Sequence, residues 1–171
     1  IVTGVLEFRG VVTVSADGRE LAHIKKEFFV KSPLSEGDAI DADEYLDRMA
    51  AMQFAPAYEA ALTLLDYCAR TAAELKRALR RKGYVDAAID AAVERLREAR
   101  LIDDLDYARR KVQAQKSAGV YAIRRKLMAK GVAQEDLEAA LADVDEADQR
   151  AAARALAERM ARKYEGLEPR A

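Results

Sequence analysis

The sequence predicts a mainly α protein: tandem three-helix repeats in an elongated helical body, with a small antiparallel β segment at the N-terminus. Three observations carry this. The phrase "LRRKGYVDAAI" at 79–89 returns as "LMAKGVAQEDL" at 127–137, 48 positions later, and a fixed self-similar period marks a repeat architecture. Apolar residues at helical spacing run from Pro56 onward. The first 40 residues instead alternate and are rich in Val and Thr, as strands are.

In "VLEFRGVVTVSADGRELAHI" we place strands near 3–9, 10–16 and 19–25, with Asp17-Gly18 as a tight turn. "FFVKSPLSEGDAI" reads as a last short strand and a loop, and a helix starts at Asp41 or Asp43. Tyr58, Ala61, Leu62, Leu65 and Ala69 form the first helical stripe. "TAAE" at 71–74 is a capping box: Thr71 accepts from the Glu74 amide, and the Glu74 carboxylate returns to the Thr71 amide. The helix it opens buries Leu75 and Leu79 and ends at Gly83; the next, from about Asp86, buries Ile89, Ala92, Val93 and Leu96.

The cycle then restarts. Asp103 is an N-cap; Leu105, Ala108 and Val112 form a stripe that ends at Gly119; Ile123 and Leu127 mark the next helix; Leu137, Ala140, Leu141 and Val144 mark the one after. The offset pairs Ala60 with Ala108, Leu64 with Val112, Leu75 with Ile123, Arg77 with Arg125, and Val93 with Leu141. A seventh helix, about 145–164, carries Leu156 and Met160 at i, i+4 spacing. The expected organisation is a β-rich extension (1–40), a linker or helix (41–56), repeat 1 (57–102), repeat 2 (103–144) and the start of a third repeat (145–171) that stops short. The change of pattern near residue 56 makes the strand region a separable appendage in this reading. Gly83 and Gly131 serve as left-handed helix ends, each preceded by a lysine suited to the negative helix terminus. They are joints of the architecture and not a phosphate loop.

Composition sets outer limits. With 51% hydrophobic and 35% charged residues, the 171-residue chain is globular and not wholly disordered. No apolar run approaches the roughly 20 residues of a membrane span, and no signal-peptide pattern opens the chain. One cysteine permits no internal disulfide, as expected of a cytoplasmic protein. A first residue of Ile rather than Met reads as an excised fragment.

Catalytic, metal and cofactor signals are poor. His23 is the only histidine and reads as an ordinary surface or half-buried one; Cys68 lies close to the apolar stripe and reads as a small core side chain. The carboxylates of "DDLD" at 103–106 fit helix capping better than magnesium binding, and "GDAIDADE" lacks the ligand alternation of a calcium loop. We expect no enzyme activity, no metal and no cofactor.

The charge pattern is more informative. Residues 1–68 hold 6 basic and 12 acidic side chains, 69–131 hold 17 and 8, and 132–171 hold 6 and 10. A basic block therefore sits between two acidic ones, which suggests an anionic partner. Its centres are Lys76, Arg77, Arg80, Arg81 and Lys82 in one repeat, and Arg124, Arg125, Lys126 and Lys130 in the next. These nine are the expected partner-binding residues. Tyr67, Tyr84, Tyr107 and Tyr121 are the aromatics near them in sequence, few for base stacking.

Two stretches, "EAALTLLDYCARTAAELKRALRRKGYVDAAIDAAVERLREARLIDDLDYAR" and "GVYAIRRKLMAKGVAQEDLEAAL", resemble the RecX family of bacterial RecA regulators. Arg-Thr-x-x-Glu-Leu, Lys-Gly, Leu-Ile-Asp-Asp and Tyr-Ala follow one another as in that family, over about residues 57–164. The resemblance implies three tandem three-helix repeats in a curved body that binds in the groove of the RecA–DNA filament. It further implies restraint of RecA ATP hydrolysis, strand exchange and the coprotease activity that triggers the SOS response. We expect a monomer with no membrane partner. Thr71 stands where Ser is commoner, and the third repeat is short. A rival reading is a helical DNA-binding protein whose basic face contacts phosphates directly.

Overall fold

The computed structural model describes residues 1–115, 119–142, 144 and 146–164, without the side chains of 146–149, 152 and 164. The chain divides into two compact units, Ile1–Ile102 and a second beginning at Asp103. It is mostly helical, with one three-stranded antiparallel sheet at the N-terminus.

In the first unit, strands β1 (Val2–Phe8), β2 (Val11–Ala16) and β3 (Arg19–Lys25) pair in sequence order. Two-residue turns join them, Arg9-Gly10 and Asp17-Gly18, with positive φ at both residues of each. That geometry matches the twist of the flanking strands. Val12, Val14 and Ile24 point to one face and are buried in the core.

The segment after β3 is not a fourth strand. Lys26–Phe29 forms a short helical turn, α1, whose Phe28 is buried with its ring 6.2 Å from that of Tyr84. A strand would send Phe28 and Phe29 to opposite faces; the turn seats Phe28 in the core.

Helix α2 (Ala42–Tyr67) is capped by Asp41, whose carboxylate accepts from the Asp43 and Glu44 amides. It runs through Pro56, so 41–56 is not a linker set apart from the repeat. Tyr45, Met49, Gln53, Ala57 and Ala61 are all buried at i, i+4 spacing, a continuous stripe that spans the proline. Packing along that stripe outweighs the roughly 3 kcal/mol a helix-interior proline costs. Cys68, read from sequence as a core side chain, is exposed and stands at the end of this helix.

Helix α3 (Ala72–Arg81) opens with the complete Thr71–Glu74 capping box, and α4 (Asp86–Glu98) buries Ala88, Ile89, Ala92, Val93 and Leu96. One hydrophobic cluster joins Val12, Val14, Ile24 and Phe28 to α2, α3 and α4. The sheet is therefore part of the core of this unit and not a separable appendage.

The second unit repeats the helical theme with α5 (Asp104–Ala114), α6 (Val120–Ala129) and α7 (Gln134–Ala142) around Tyr107, Val112, Ile123, Leu127 and Leu137. Asp103 caps α5 through the Asp106 amide. Gly119 does not end α5, which stops at Ala114. It occupies the N-cap of α6 with an ordinary φ of −59°, the place Thr71 holds before α3. Helix α8 (Glu146–Tyr164) follows, and its Leu156 and Met160 are exposed. Asp145 and the closing "GLEPRA" lie outside the described residues.

Candidate partner-binding faces

Each second helix is amphipathic. In α3, Leu75, Ala78 and Leu79 turn inward, so the intervening cations face outward by the 3.6-residue period. Arg77, Arg80, Arg81 and Lys82 are exposed, and Lys76 is half-buried. In α6, Ile123 and Leu127 are buried, Arg125 and Lys126 exposed, Arg124 and Lys130 half-buried.

These cations do not all do the same thing. Lys76 Nζ lies 2.7 Å from Asp90 Oδ1, and Arg80 lies 2.8 Å from Asp86. Both pairs tie α3 to α4. In the second unit Arg124 forks onto both carboxylate oxygens of Glu138, tying α6 to α7. Lys76–Asp90 and Arg124–Glu138 occupy equivalent positions of the two repeats. The hydrogen bond to Glu138 raises Arg124 further above its ordinary range and lowers Glu138 below the usual carboxylate range. The hydrogen bond to Asp86 raises Arg80 in the same way. Part of the repeated basic pattern thus braces neighbouring helices.

Lys126 Nζ donates to Gln115 Oε1 at 2.9 Å, and Lys130 sits 5.7 Å from the centroid of the Tyr107 ring, which Lys111 also approaches at 5.4 Å. Arg81, Lys82 and Arg125 extend the exposed positive charge. Tyr84 and Tyr107 are buried and so stack on nothing outside, whereas Tyr67 and Tyr121 are open.

In the first unit the sheet brings further residues to α3. Phe8, Arg9, Thr13 and His23 line an open groove with Arg77, Arg80 and Arg81. Sequence reading missed Phe8 and Arg9, because some 70 residues separate them from the arginines. The signal that pointed to them was present in the strand alternation, which puts Phe8 opposite the core-facing residues of β1. The "DDLD" carboxylates act as expected of a helix start: Asp103 caps, and Asp104 and Asp106 lie in the first turn. His23 accepts a half-buried place, its ring nitrogens 2.9 Å from Thr13 Oγ1 and from Glu20 Oε1.

A sheet-backed three-helix unit followed by a second three-helix unit, each with a basic middle helix, defines a helical-repeat protein that presents cations on folded scaffolds. Comparison with known proteins narrows this class. The family model for the RecX first three-helix domain matches residues 57–96. Over this stretch the chain is similar to the RecX family. The regulatory protein RecX of Mycolicibacterium vanbaalenii is 35% identical over 125 residues, covering 71% of this chain and 65% of that protein. That of Geobacillus sp. strain WCH70 is 31% identical over 122 residues, covering 70% of this chain and 45% of the relative. The chain thus spans about half to just under two thirds of these curated relatives. The crystal structure of RecX from Lactobacillus salivarius superposes with a TM-score of 0.61 at 28% identity, over 70% of this chain and 79% of that one. A crystal structure of regulatory protein RecX shares the fold over 99% of this chain and 85% of its own, with a TM-score of 0.64 at 24% identity.

Proposed function

We propose that this chain is a non-enzymatic regulator of the RecA recombinase that binds RecA–DNA filaments and restrains ATP hydrolysis, strand exchange and coprotease activity. Its place is then in the control of DNA repair and the SOS response, as a cytoplasmic monomer. Similarity to the RecX family carries this reading, since the relatives are named regulatory proteins. The exposed cations of α3 and α6 support it, because a nucleoprotein presents phosphates and carboxylates that suit arginine forks. No helix among the described residues is long and apolar enough to cross a membrane.

The test is co-sedimentation with RecA on single-stranded DNA, with free DNA and free RecA as controls, alongside the RecA ATPase rate. Arg80 and Arg124 brace neighbouring helices, so charge reversal is better placed at the exposed Arg81, Lys82 and Arg125. Each exposed charge contributes little alone, and we expect the triple Glu variant to keep its helical signal and lose ATPase inhibition. Full inhibition by the folded variant would move the filament-binding surface away from these helices.

A further inference from the structure

We propose that the outer face of the β-sheet and helix α3 together form a groove for single-stranded nucleic acid, with Phe8 as a base-stacking platform and arginines as phosphate contacts. The site goes beyond the reading above, because it needs no RecA and stands partly on the sheet.

The register builds it. Leu6 pairs with Thr13 and Phe8 with Val11 across β1–β2, and Thr13 pairs with His23 across β2–β3. Directly opposed residues share a face, so these side chains form one surface, opposite the buried Val12, Val14 and Ile24. A sheet with one face in the core ordinarily turns polar residues outward. Here Leu6 and Phe8 are each 72% exposed. The Arg9 guanidinium carbon lies 5.0 Å from the Phe8 ring centroid, placing a cation beside an open aromatic.

The groove measures about 660 Å³, and Arg77, Arg80 and Arg81 form its wall on the α3 side. Among the described residues no carboxylate lines it; Asp86 holds Arg80 and Glu20 holds His23 from outside the lining. Four guanidinium groups line one groove with the exposed Phe8 ring, Arg9 beside the ring and Arg80 already paired with Asp86, and together they match a polyanion that also offers flat apolar faces. Single-stranded nucleic acid has both, whereas a duplex keeps its bases stacked internally and leaves Phe8 without a partner. An acidic peptide matches the charge but not the stack.

The experiment is fluorescence anisotropy of the whole chain with labelled oligo(dT), without RecA, against a blunt duplex of equal length and a poly-glutamate competitor. We expect oligo(dT) to bind more tightly than duplex and to resist poly-glutamate. Phe8→Ala should weaken oligo(dT) binding about tenfold, the loss of one stacked base, and Phe8→Trp should restore it. Phe8 is exposed, so neither variant should disturb folding, which circular dichroism checks. Phe8→Ala should leave the salt dependence unchanged, while Arg81→Ala should lower its log–log slope by about 0.7. Duplex binding as tight as oligo(dT), indifference to Phe8→Ala, or displacement by poly-glutamate would each overturn the proposal. Since RecA is absent from every arm, its failure is separate from failure of the filament reading.

Discussion

Gly83 carries two constraints at once. Its φ of +82° is the left-handed helix end that disfavours a side chain. A Cβ there would also lie 2.8 Å from the Lys25 backbone nitrogen, the group that donates to Gly83 O at 2.7 Å. Gly131 shares the conformation, with φ +80°. Gly131→Ala should therefore cost about 1 kcal/mol, and Gly83→Ala about 3 kcal/mol, because overpacking against the β3 backbone adds to the strain. Urea melts of the two variants check this, and equal costs would remove the β3 contact from the account. Gln53 is a second residue with a role no local pattern announces. Fully buried in α2, it accepts through Oε1 from Val85 N at 2.7 Å, where α4 begins without a side-chain cap of its own. Its Nε2 has no hydrogen-bond partner among the described residues. Gln53→Leu strands the buried Val85 amide, and we expect a loss of about 2 kcal/mol by the same measurement. A neutral result would mean that removing the orphaned Nε2 offsets the broken bond.

At the scale of the element, helix α2 shows how packing overrides a local breaker. Tyr45, one turn into the helix, is buried and donates its hydroxyl to Ser32 O at 3.1 Å. Burial raises its phenol above the ordinary 10.0, with Arg48 opposing; burial raises Tyr84 likewise, with Lys25 opposing. A raised folded-state value means the neutral phenol is favoured in the fold. The associated stability is complete below about pH 10 and is lost as pH climbs through the folded-state values. Chemical denaturation between about pH 9 and about pH 12 should show this decline, and Tyr45→Phe should flatten it while lowering stability at neutral pH through the lost hydrogen bond. An unchanged alkaline slope in Tyr45→Phe would assign the decline to Tyr84 or elsewhere.

At the scale of the molecule, the first unit behaves as one core. The strands supply Val12, Val14 and Ile24, the turn α1 supplies Phe28, and the longer helices supply Met49, Leu75, Leu79 and Ile89. A fragment beginning at Ala57 removes the sheet and more than half of α2, exposing the apolar inner faces of what remains. We expect it to lose the cooperative melt of the first unit and to bind a hydrophobic dye, as loosely packed states do. A sharp, native-like melt of that fragment would show that the strands are dispensable to the core.

What the sequence by itself determined is whatever rests on neighbours a few residues apart. The Thr71–Glu74 box, the Asp103 cap, the Asp17-Gly18 turn, the glycine helix ends and the 48-residue repeat are all local signals, written within a turn or a period. The tertiary structure alone decided the rest. It folded Lys26–Phe29 into a helical turn because Phe28 needed the core, and it carried α2 across Pro56 on a continuous buried stripe. It set Gln53 beneath the start of α4, left Cys68 on the surface, and engaged Lys76, Arg80 and Arg124 in ion pairs between helices. It also brought Phe8 and Arg9 beside the arginines of α3. The physical reason is common to all of these: contact energies between residues distant in the chain depend on which faces meet, and no local propensity or period encodes that meeting.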